Sequence, residues 1–552
     1  MGALRNSAEA ADRENGGKGF MSGVLVLSIS TFAVKLIGLA YKIPMMALLG
    51  AEGMGYFNSA YEIYALLCVI STAGLPVALS MLVSGCAENK NYLKMARVYR
   101  TAMTVFALLG GLGTAFMLIF AERLSAFIEN PDAVWSIAAI APALLCVCVA
   151  SAVRGYFQGL CKMSPTAISQ LIEALGKLIL GVLFARIALD AGYGIPVAAA
   201  LAIVGISAGT LLSALYLLAL KLLHNRKNKD IISDSSCEDD RERIAAKLFR
   251  IAIPITLSSA VLGVTRIIDM ALIMRRLQDI GYSTAGANAV YGSYTTLAVP
   301  VFGLIPSLIA PVALALVPRL SAHIERGSIE GQAAIVSSSL RITALFAIPA
   351  SMGIALYSRN ILELLFGDEA EAISTAAPLL ALLGISILFA SLITTTNAIL
   401  QSYMRTSRPI ISMAIGAAVK VVSAYILIGI PSVGVYGAPI STLLCNITVT
   451  TLNMYFVSRY APEGDGVFKI YVRPFAAACV MMIASLGIYS LVLSFIESTS
   501  VAFVAAMVAA VAVYGLFTLL FGAVSEEDIL MMPFGERIIA VIKRIGLLKT
   551  KE

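Results

Sequence analysis

Nine charged side chains within apolar segments that are long enough to cross a membrane have types and spacing that indicate chemistry. They are Lys35, Lys42, Glu62, Arg154, Glu173, Lys177, Arg266, Asp269 and Lys420. A charge at the centre of a membrane helix costs about 2.5–3.5 kcal/mol on insertion scales, so such residues mark a substrate or ion pathway. Six of the nine are basic and three are acidic, and this excess of positive charge favours an anionic ligand.

Two lysines in the first apolar segment carry the strongest signal. Lys35 and Lys42 are seven residues apart, which places them on one helix face, and they have no acidic neighbour on their own helix. Such a pair requires water, an acidic partner on another helix or an anionic ligand, and we expect a functional cavity. Glu62 and Asp269 also have the chemistry to hold a coupling cation or proton.

The other embedded charges have structural interpretations beside functional ones. Glu173 and Lys177 have the i, i+4 spacing of a helix ion pair, and Arg266 with Asp269 has the i, i+3 spacing. Arg154 lies near the end of its segment, where a long side chain can extend to the interface. These residues therefore enter the candidate site as hypotheses.

Composition restricts the protein to one class. Apolar residues make up 59% of the 552 residues and charged residues 13%, whereas a soluble domain carries about 25% charged residues. Disorder requires low hydrophobicity and high charge, so it is excluded as well. The sequence therefore predicts an all-α polytopic membrane protein.

Several kinds of chemistry lack their motifs in this sequence. His224 and His323 are the two histidines, both in polar stretches, and there is no C-x-x-C pair, so no metal site is expected. No glycine-rich phosphate loop follows a strand pattern, so no nucleotide cofactor is expected. A membrane enzyme acting on polyprenyl lipids would need acids or histidines clustered near an interface. No such cluster is visible, so we expect no enzyme.

Fourteen segments reach the roughly 20 apolar residues that a spanning helix needs. They are 22–49, 56–84, 98–120, 133–158, 165–189, 195–223, 248–274, 287–318, 333–357, 373–402, 409–430, 434–458, 473–496 and 499–522. If the intervening stretches are assigned alternately to two sides, one side holds 29 Lys and Arg and the other five. By the positive-inside rule, both termini are predicted to be cytoplasmic in a cell membrane.

An internal repeat divides these spans. PVAL at 76–79 recurs at 311–314, an offset of 235, and the offset of 243 pairs Gln158 with Gln401 and Lys177 with Lys420. Spans 1–6 and 7–12 are therefore predicted to be parallel copies of one six-helix unit, with the substrate site between them. The predicted regions are 1–20 (cytoplasmic tail), 21–223 (first lobe), 224–246 (cytoplasmic inter-lobe loop), 247–458 (second lobe), 459–524 (spans 13 and 14) and 525–552 (cytoplasmic tail).

Prolines inside the predicted spans suggest places where helices break or bend. Pro76 lies in span two, and Pro300, Pro306 and Pro311 cluster in span eight. Membrane helices tolerate proline in general. Three prolines in one span make a hinge the favoured interpretation there.

These motifs give the chain a resemblance to a known superfamily. Two six-helix repeats plus two further helices resemble the multidrug/oligosaccharidyl-lipid/polysaccharide exporter superfamily. KLIG at 35–38, GAEGMGY at 50–56, GLPVALS at 74–80 and YFQG at 156–159 are similar to its polysaccharide-biosynthesis and sporulation-protein branch, which includes lipid II flippases. The resemblance covers roughly residues 20–525.

The resemblance implies transport without covalent chemistry or a cofactor. A lipid-linked sugar pyrophosphate would occupy a central cavity, basic residues would hold the pyrophosphate, and rocking lobes would turn the site outward. Lys42, and after it Lys35, match first-helix basic positions of lipid II flippases. Proteobacterial lipid II flippases carry further basic residues in helices two and eight. The matching stretches here, CVIS at 68–71 and SYTT at 293–296, have no charge, so Arg266, Lys177 or Lys420 would supply it.

The predicted function is a flippase for an undecaprenyl-pyrophosphate-linked cell-wall precursor, with lipid II as the first candidate. The membrane potential or a gradient of Na+ or H+ would drive it. Membrane lipids are expected partners, nucleic acid is not, and a monomer is expected. The alternatives are another lipid-linked polysaccharide precursor, in growth or sporulation, and a drug/cation antiporter of the same superfamily. A nontransporting membrane scaffold is the alternative outside transport.

Overall fold

The computed structural model describes residues 2–88, 91–227, 241–367, 369–466 and 468–524, and these residues form helices and short connections without a strand. The helices are α1 (Gly2–Thr72), α2 (Leu75–Glu88), α3 (Tyr92–Ile119), α4 (Ala121–Phe127), α5 (Val134–Gly159), α6 (Ser164–Asp190), α7 (Ile195–Lys227), α8 (Arg241–Asp279), α9 (Thr284–Ser293), α10 (Val299–Glu325), α11 (Ile329–Leu356), α12 (Ser358–Phe366), α13 (Ala370–Ser402), α14 (Ser407–Ile428), α15 (Gly437–Tyr460), α16 (Arg473–Phe495) and α17 (Thr499–Leu520).

The predicted fold class, an all-α polytopic membrane protein, is confirmed. Within the described ranges, eleven helical stretches are long and apolar enough to cross a membrane. The first of them, Ser30–Ala87, covers predicted span two and residues 30–49 of span one. Predicted spans 165–189 and 248–274 lie in α6 and α8, which are not among the eleven and carry charged side chains near their middle. The fourteen predicted spans are thus all helical, which is consistent with the predicted count.

The first connection between spans is a kink rather than a loop. Helix α1 runs through 50–55, and Gly50 alone is non-helical, at φ 66° and ψ −178°. Positive φ favours glycine because it has no Cβ. At its other end α1 begins at Gly2, so the stretch predicted as an N-terminal tail is helical from that residue, in keeping with the helix propensity of its Ala and Glu residues.

Two predicted spans are interrupted next to the prolines that suggested hinges. Span two breaks at 73–74, and Pro76 lies in the first turn of α2, where its missing N–H costs no hydrogen bond. Span eight changes from α9 to a π-helix, Tyr294–Ala298, and Pro300 lies in the first turn of α10. Pro306 and Pro311 lie inside α10 without ending it. Hinge motion at these prolines stays a prediction.

The internal repeat is visible in the backbone conformation. Cys161 and Met404 are 243 residues apart, and both are left-handed, at φ 57° and φ 56°. The N–H of Lys162 donates to the carbonyl of Phe157 at 2.9 Å, and the bond 243 positions later has the same length. The connection α5–α6 therefore has the same conformation as α13–α14.

The chain divides into two compact units, Met1–Gly292 and Ser293–Glu552. The first unit extends beyond the predicted lobe boundary because α8 packs against α1, α2 and α3. Most of the inter-lobe loop 224–246 and all of the C-terminal tail 525–552 lie outside the described residues. The two predicted lobes therefore remain an expectation.

Glycines bring α6 and α7 close together in the first unit. A methyl group on Gly176 would collide with Gly209, and one on Gly205 would collide with Gly181. Small residues at these positions let two membrane helices approach backbone to backbone. This seam places the polar side chains of α6 and α7 within reach of α5.

An ion-pair cluster in the second unit fixes the connection between α15 and α16. Asp465 accepts hydrogen bonds from Arg341 (2.7 Å) and Lys469 (3.2 Å), and its N–H donates to Ser337 Oγ (2.8 Å). Burial raises the pKa of Asp465, but hydrogen bonds and charge from Lys469 and Arg341 outweigh it and hold the pKa below its usual value. The cluster ties this connection to α11.

Asp465→Asn is expected to lower the free energy of unfolding at pH 7 by about 2 kcal/mol, because the hydrogen bonds from Arg341 and Lys469 lose their charged acceptor. A lowered folded-state pKa stabilises the protein above the unfolded pKa and ceases to do so as pH falls through the folded value. The difference in the free energy of unfolding between the parent protein and the variant should therefore shrink below about pH 4. Thermal unfolding in detergent measures it.

The matched control is Glu363→Gln, which removes the carboxylate of the exposed Arg359–Glu363 pair. Exposed pairs contribute about 0–1 kcal/mol. Equal destabilisation by the two variants, or a difference that does not depend on pH, would contradict the role of Asp465.

Candidate functional site

A lysine enclosed by aromatic rings marks the candidate site in the first unit. The ammonium of Lys177 on α6 lies 4.8 Å from the ring centroid of Tyr61, 5.0 Å from that of Tyr41 and 5.9 Å from that of Phe57, all on α1. A cation near ring faces gains about 0.5–2 kcal/mol per contact, depending on desolvation. We call these three rings the aromatic cage.

The carboxylate one turn away from Lys177 is bound by another helix. Arg154 on α5 donates from Nη2 to Glu173 Oε2 at 2.9 Å and to Ser213 Oγ at 3.1 Å, and from Nε to Ser169 Oγ at 2.9 Å. Arg154 thus joins α5 to α6 and α7, and it is largely buried, with 13% of its side chain exposed. Glu173 also interacts electrostatically with Lys177, the partner that the i, i+4 spacing suggests, while its hydrogen bond comes from Arg154.

Lys42 lies close to this group. It is half-buried on α1, adjacent to Tyr41, and it interacts electrostatically with Lys177 and with Glu62. Two positive charges and one negative charge therefore lie near each other on α1 and α6.

Tyr61 lies near further charged residues of the predicted site. Its phenol is within electrostatic range of Glu62, Glu173 and Arg266, the last of which is exposed on α8. These contacts and electrostatic interactions link six of the nine predicted residues into one group, some through Tyr61 and the others through Lys177, Glu62 and Glu173. They are Lys42, Glu62, Arg154, Glu173, Lys177 and Arg266.

The other three predicted residues have different surroundings. Lys35 is exposed on α1, two turns before Lys42. Asp269 is half-buried on α8, and Lys420 is half-buried on α14 of the second unit. Their roles in the site stay predictions.

The aromatic cage was missed in the sequence, although a signal was present. Phe57, Tyr61 and Tyr64 recur at i, i+4 and i+7, the spacing of one helix face, and the rings of Phe57 and Tyr61 stack at 6.4 Å with 9° between their planes. A buried lysine next to aromatic rings was also missed. Lys221 on α7 has its ammonium 3.2 Å from the ring centroid of Tyr156, which belongs to the YFQG motif.

The second unit contains an apolar cavity of about 500 Å³ among α11, α13 and α16. Its lining includes Ile348, Leu388, Phe389 and Phe475. Ser351 is the one hydroxyl residue of the lining, and its Oγ donates to the carbonyl of Gly384 at 2.7 Å. Such a surface suits an apolar chain.

No group of three or more His, Cys, Asp or Glu side chains in the described part of the chain has the geometry of a metal site.

Two family models match the chain. The one described as "Polysaccharide biosynthesis protein" matches residues 20–323, more than half of the chain, and the one described as "MatE" matches residues 282–426.

Curated relatives match over most of their length. Stage V sporulation protein B of Bacillus subtilis (strain 168) is 24% identical over 94% of this chain and 99% of its own length. Lipid II flippase MurJ of the same organism is 26% identical over 82% of this chain and 84% of its own length.

Solved structures share the fold. One of lipid II flippase MurJ in an inward closed conformation has a TM-score of 0.68 at 15% identity, over 90% of this chain and 98% of that one. A multidrug resistance MATE transporter in an inward-facing conformation has a TM-score of 0.62 at 16% identity, over 77% of this chain and 98% of that one. The chain therefore belongs to the polysaccharide biosynthesis protein family and is a membrane transporter of the multidrug/oligosaccharidyl-lipid/polysaccharide exporter superfamily.

Proposed function

We propose that this protein is a flippase that moves an undecaprenyl-pyrophosphate-linked cell-wall precursor, with lipid II as the first candidate, from the inner to the outer leaflet. The observation that carries the proposal is the charge arrangement of the first unit. Arg154 neutralises Glu173, and Lys177 is held by ring faces next to Lys42. Among relatives of similar sequence, one is named as a lipid II flippase.

The two lysines suit a diphosphate. Hydrogen bonds between an ammonium and a phosphate oxygen are charge-assisted and about twice as strong as neutral ones. An anion with two or more charges therefore competes well against the aromatic cage for Lys177. The diphosphate would contact Lys42 and Lys177, and Lys35 would lie on the approach along α1.

The apolar cavity of the second unit supports the same class of substrate. A polyprenyl chain cannot hydrogen-bond, so it requires a surface of apolar side chains. The cavity among α11, α13 and α16 offers one. We propose that isoprenoid units of the cargo can bind there.

The proposal includes the remaining expectations from the sequence. Both termini would face the cytoplasm, and the protein would act as a monomer without a cofactor, nucleic acid or covalent chemistry. The membrane potential or a Na+ or H+ gradient would supply the energy. Glu62 or Asp269 would bind the coupling ion if there is one.

A second candidate is export of drugs or cations. The match of residues 282–426 to the MatE model favours it, and so do the carboxylates Glu62, Glu173 and Asp269. Against it, the described contacts neutralise Glu173 with Arg154, and basic residues outnumber acidic ones inside the spans. A cationic cargo would require the opposite balance.

Purified protein in sealed vesicles tests the proposal, with labelled lipid II, a labelled teichoic-acid or capsular lipid precursor and a labelled organic cation as separate cargoes. Movement of a lipid-linked precursor supports a flippase and identifies which one. Movement of the cation alone, or of no cargo, would reject it.

Lys42→Ala is expected to abolish this movement and to abolish rescue of a strain that lacks its lipid II flippase, at parental expression. The reason is the loss of one of two cations at the diphosphate position. Arg186→Ala is the control, since it removes a basic residue of the exposed Arg186–Asp190 pair at the end of α6. Full rescue by Lys42→Ala would remove Lys42 from the site.

A further inference from the structure

A pair of buried asparagines joins three segments at one end of the first unit. Asn130 Nδ2 donates to Asn288 Oδ1 at 2.7 Å, and Asn288 Nδ2 donates back to Asn130 Oδ1 at 3.1 Å. Asn130 Nδ2 also contacts Ser59 Oγ at 3.3 Å. All three residues are 0% exposed. We call Ser59, Asn130 and Asn288 the amide clasp.

Close backbone packing surrounds the amide clasp. A methyl group on Gly55 of α1 would collide with the backbone of Asn288, and one on Gly292 of α9 would collide with the carbonyl of Ala51. Gln278 at the end of α8 donates to the carbonyl of Glu129 at 3.0 Å. The first turns of α9 are thus held against α1 and against the connection before α5 by hydrogen bonds and contacts without intervening side chains.

The residues of the amide clasp lie in or next to segments that are predicted to face the outside. The stretches 50–55, 121–132 and 275–286 belong to the side predicted to face outside, and the clasp lies beside all three. Ser59 and Asn130 belong to the first six-helix repeat and Asn288 to the second. The offset of 235 that pairs Tyr56 with Tyr291 pairs Asn288 with Gly53. The amide at 288 is therefore not a feature that both repeats share.

We infer that the amide clasp is the outer gate of this transporter, and that Asn130 and Asn288 must separate for cargo to leave on the outside. This inference rests on the proposed transport cycle. The chemistry suits a reversible contact. A net hydrogen bond contributes little because water replaces it, whereas a buried amide without a partner is costly. The clasp therefore stays closed while the outer end is dry and opens once water reaches the amides.

Asn288→Asp tests the clasp with little change in shape. Aspartate can still accept from Asn130 Nδ2 but cannot donate to Asn130 Oδ1, so the two oxygens oppose each other. Asn360→Asp is the matched control, since Asn360 lies on α12, also on the predicted outside, and bonds to Tyr489 rather than to the clasp.

The reporter is a single cysteine in place of Ala133, which is 0% exposed and three residues after Asn130, in a chain whose eight native cysteines are replaced by serine. A membrane-impermeant maleimide is added outside intact cells. Asn288→Asp is expected to raise the labelling rate about tenfold, in keeping with the loss of one or two buried hydrogen bonds. Asn360→Asp should leave it unchanged. A second reporter at Ala344, buried in α11, should stay unlabelled in all variants.

The readout needs no cargo, so a failed flippase assay and a failed gate are distinguishable. The gate inference would be overturned if Asn288→Asp left labelling at position 133 at the parental rate, or if the Asn288→Asp and Asn360→Asp proteins were labelled equally fast. If Asn288→Asp does not yield folded protein, Asn130→Asp carries the same comparison. Loss of folding in both clasp variants but not in Asn360→Asp would make the clasp a permanent structural contact and also overturn the inference.

Discussion

Lys177→Met is expected to reduce lipid transport by about ten- to a hundredfold while the protein stays folded. Methionine is unbranched, fills a similar space and makes favourable contacts with aromatic rings, so it can occupy the aromatic cage. It cannot bind a phosphate. Hydrogen bonds to charged groups contribute about 1.5–3 kcal/mol, which corresponds to that range of rates if the contact is made at the transition state of movement.

A binding measurement separates this role from a structural one. Polyprenyl pyrophosphate should raise the thermal unfolding temperature of the parent protein more than that of the Lys177→Met variant. Uncharged polyprenol should affect both equally. Lys177→Arg keeps the charge and should retain part of the transport, although its planar guanidinium fits the cage differently. Parental transport by Lys177→Met, or equal stabilisation by the diphosphate in both proteins, would remove Lys177 from the cargo site.

The sequence predicts the helices and the embedded charges of this protein, but it does not predict which charges pair. Apolar runs define the spans because the hydrocarbon core requires them. The i, i+4 spacing offers Lys177 as the partner of Glu173, and the two do interact electrostatically, yet the hydrogen bond to that carboxylate comes from Arg154 on α5. Local spacing gives the candidates, and the choice among them depends on how closely α6 and α7 approach at their glycines, which no single helix encodes.

The aromatic cage and the amide clasp could not be predicted from the sequence either, because both depend on contacts between distant segments. The i, i+4, i+7 pattern of Phe57, Tyr61 and Tyr64 equally indicates a packed helix face, and only the contact with α6 places a cation among the rings. Asn130 and Asn288 are separated by 158 residues, and each reads locally as a turn or helix-start residue. Their pairing follows from tertiary structure alone.

Arg154→Met is expected to lower the free energy of unfolding by about 3 kcal/mol, because a largely buried ion pair loses one partner and the hydroxyls of Ser169 and Ser213 lose their donor. It should also lower transport. Glu173 would then be able to pair with Lys177 at i, i+4 and draw its ammonium out of the aromatic cage. Thermal unfolding and the vesicle assay measure the two effects, and Arg186→Met, from the exposed Arg186–Asp190 pair, is the control with an expected loss of about 0–1 kcal/mol.

The double variant Arg154→Met/Glu173→Gln decides between two roles of Arg154. If Arg154 acts as a brace that keeps Glu173 away from Lys177, removing both charges should restore most of the stability and return transport toward the parental rate, because glutamine does not attract the ammonium as a carboxylate does. A double variant no more stable than Arg154→Met would contradict the brace. Recovery of stability without recovery of transport would instead place the guanidinium of Arg154 in contact with the diphosphate, alongside Lys42 and Lys177.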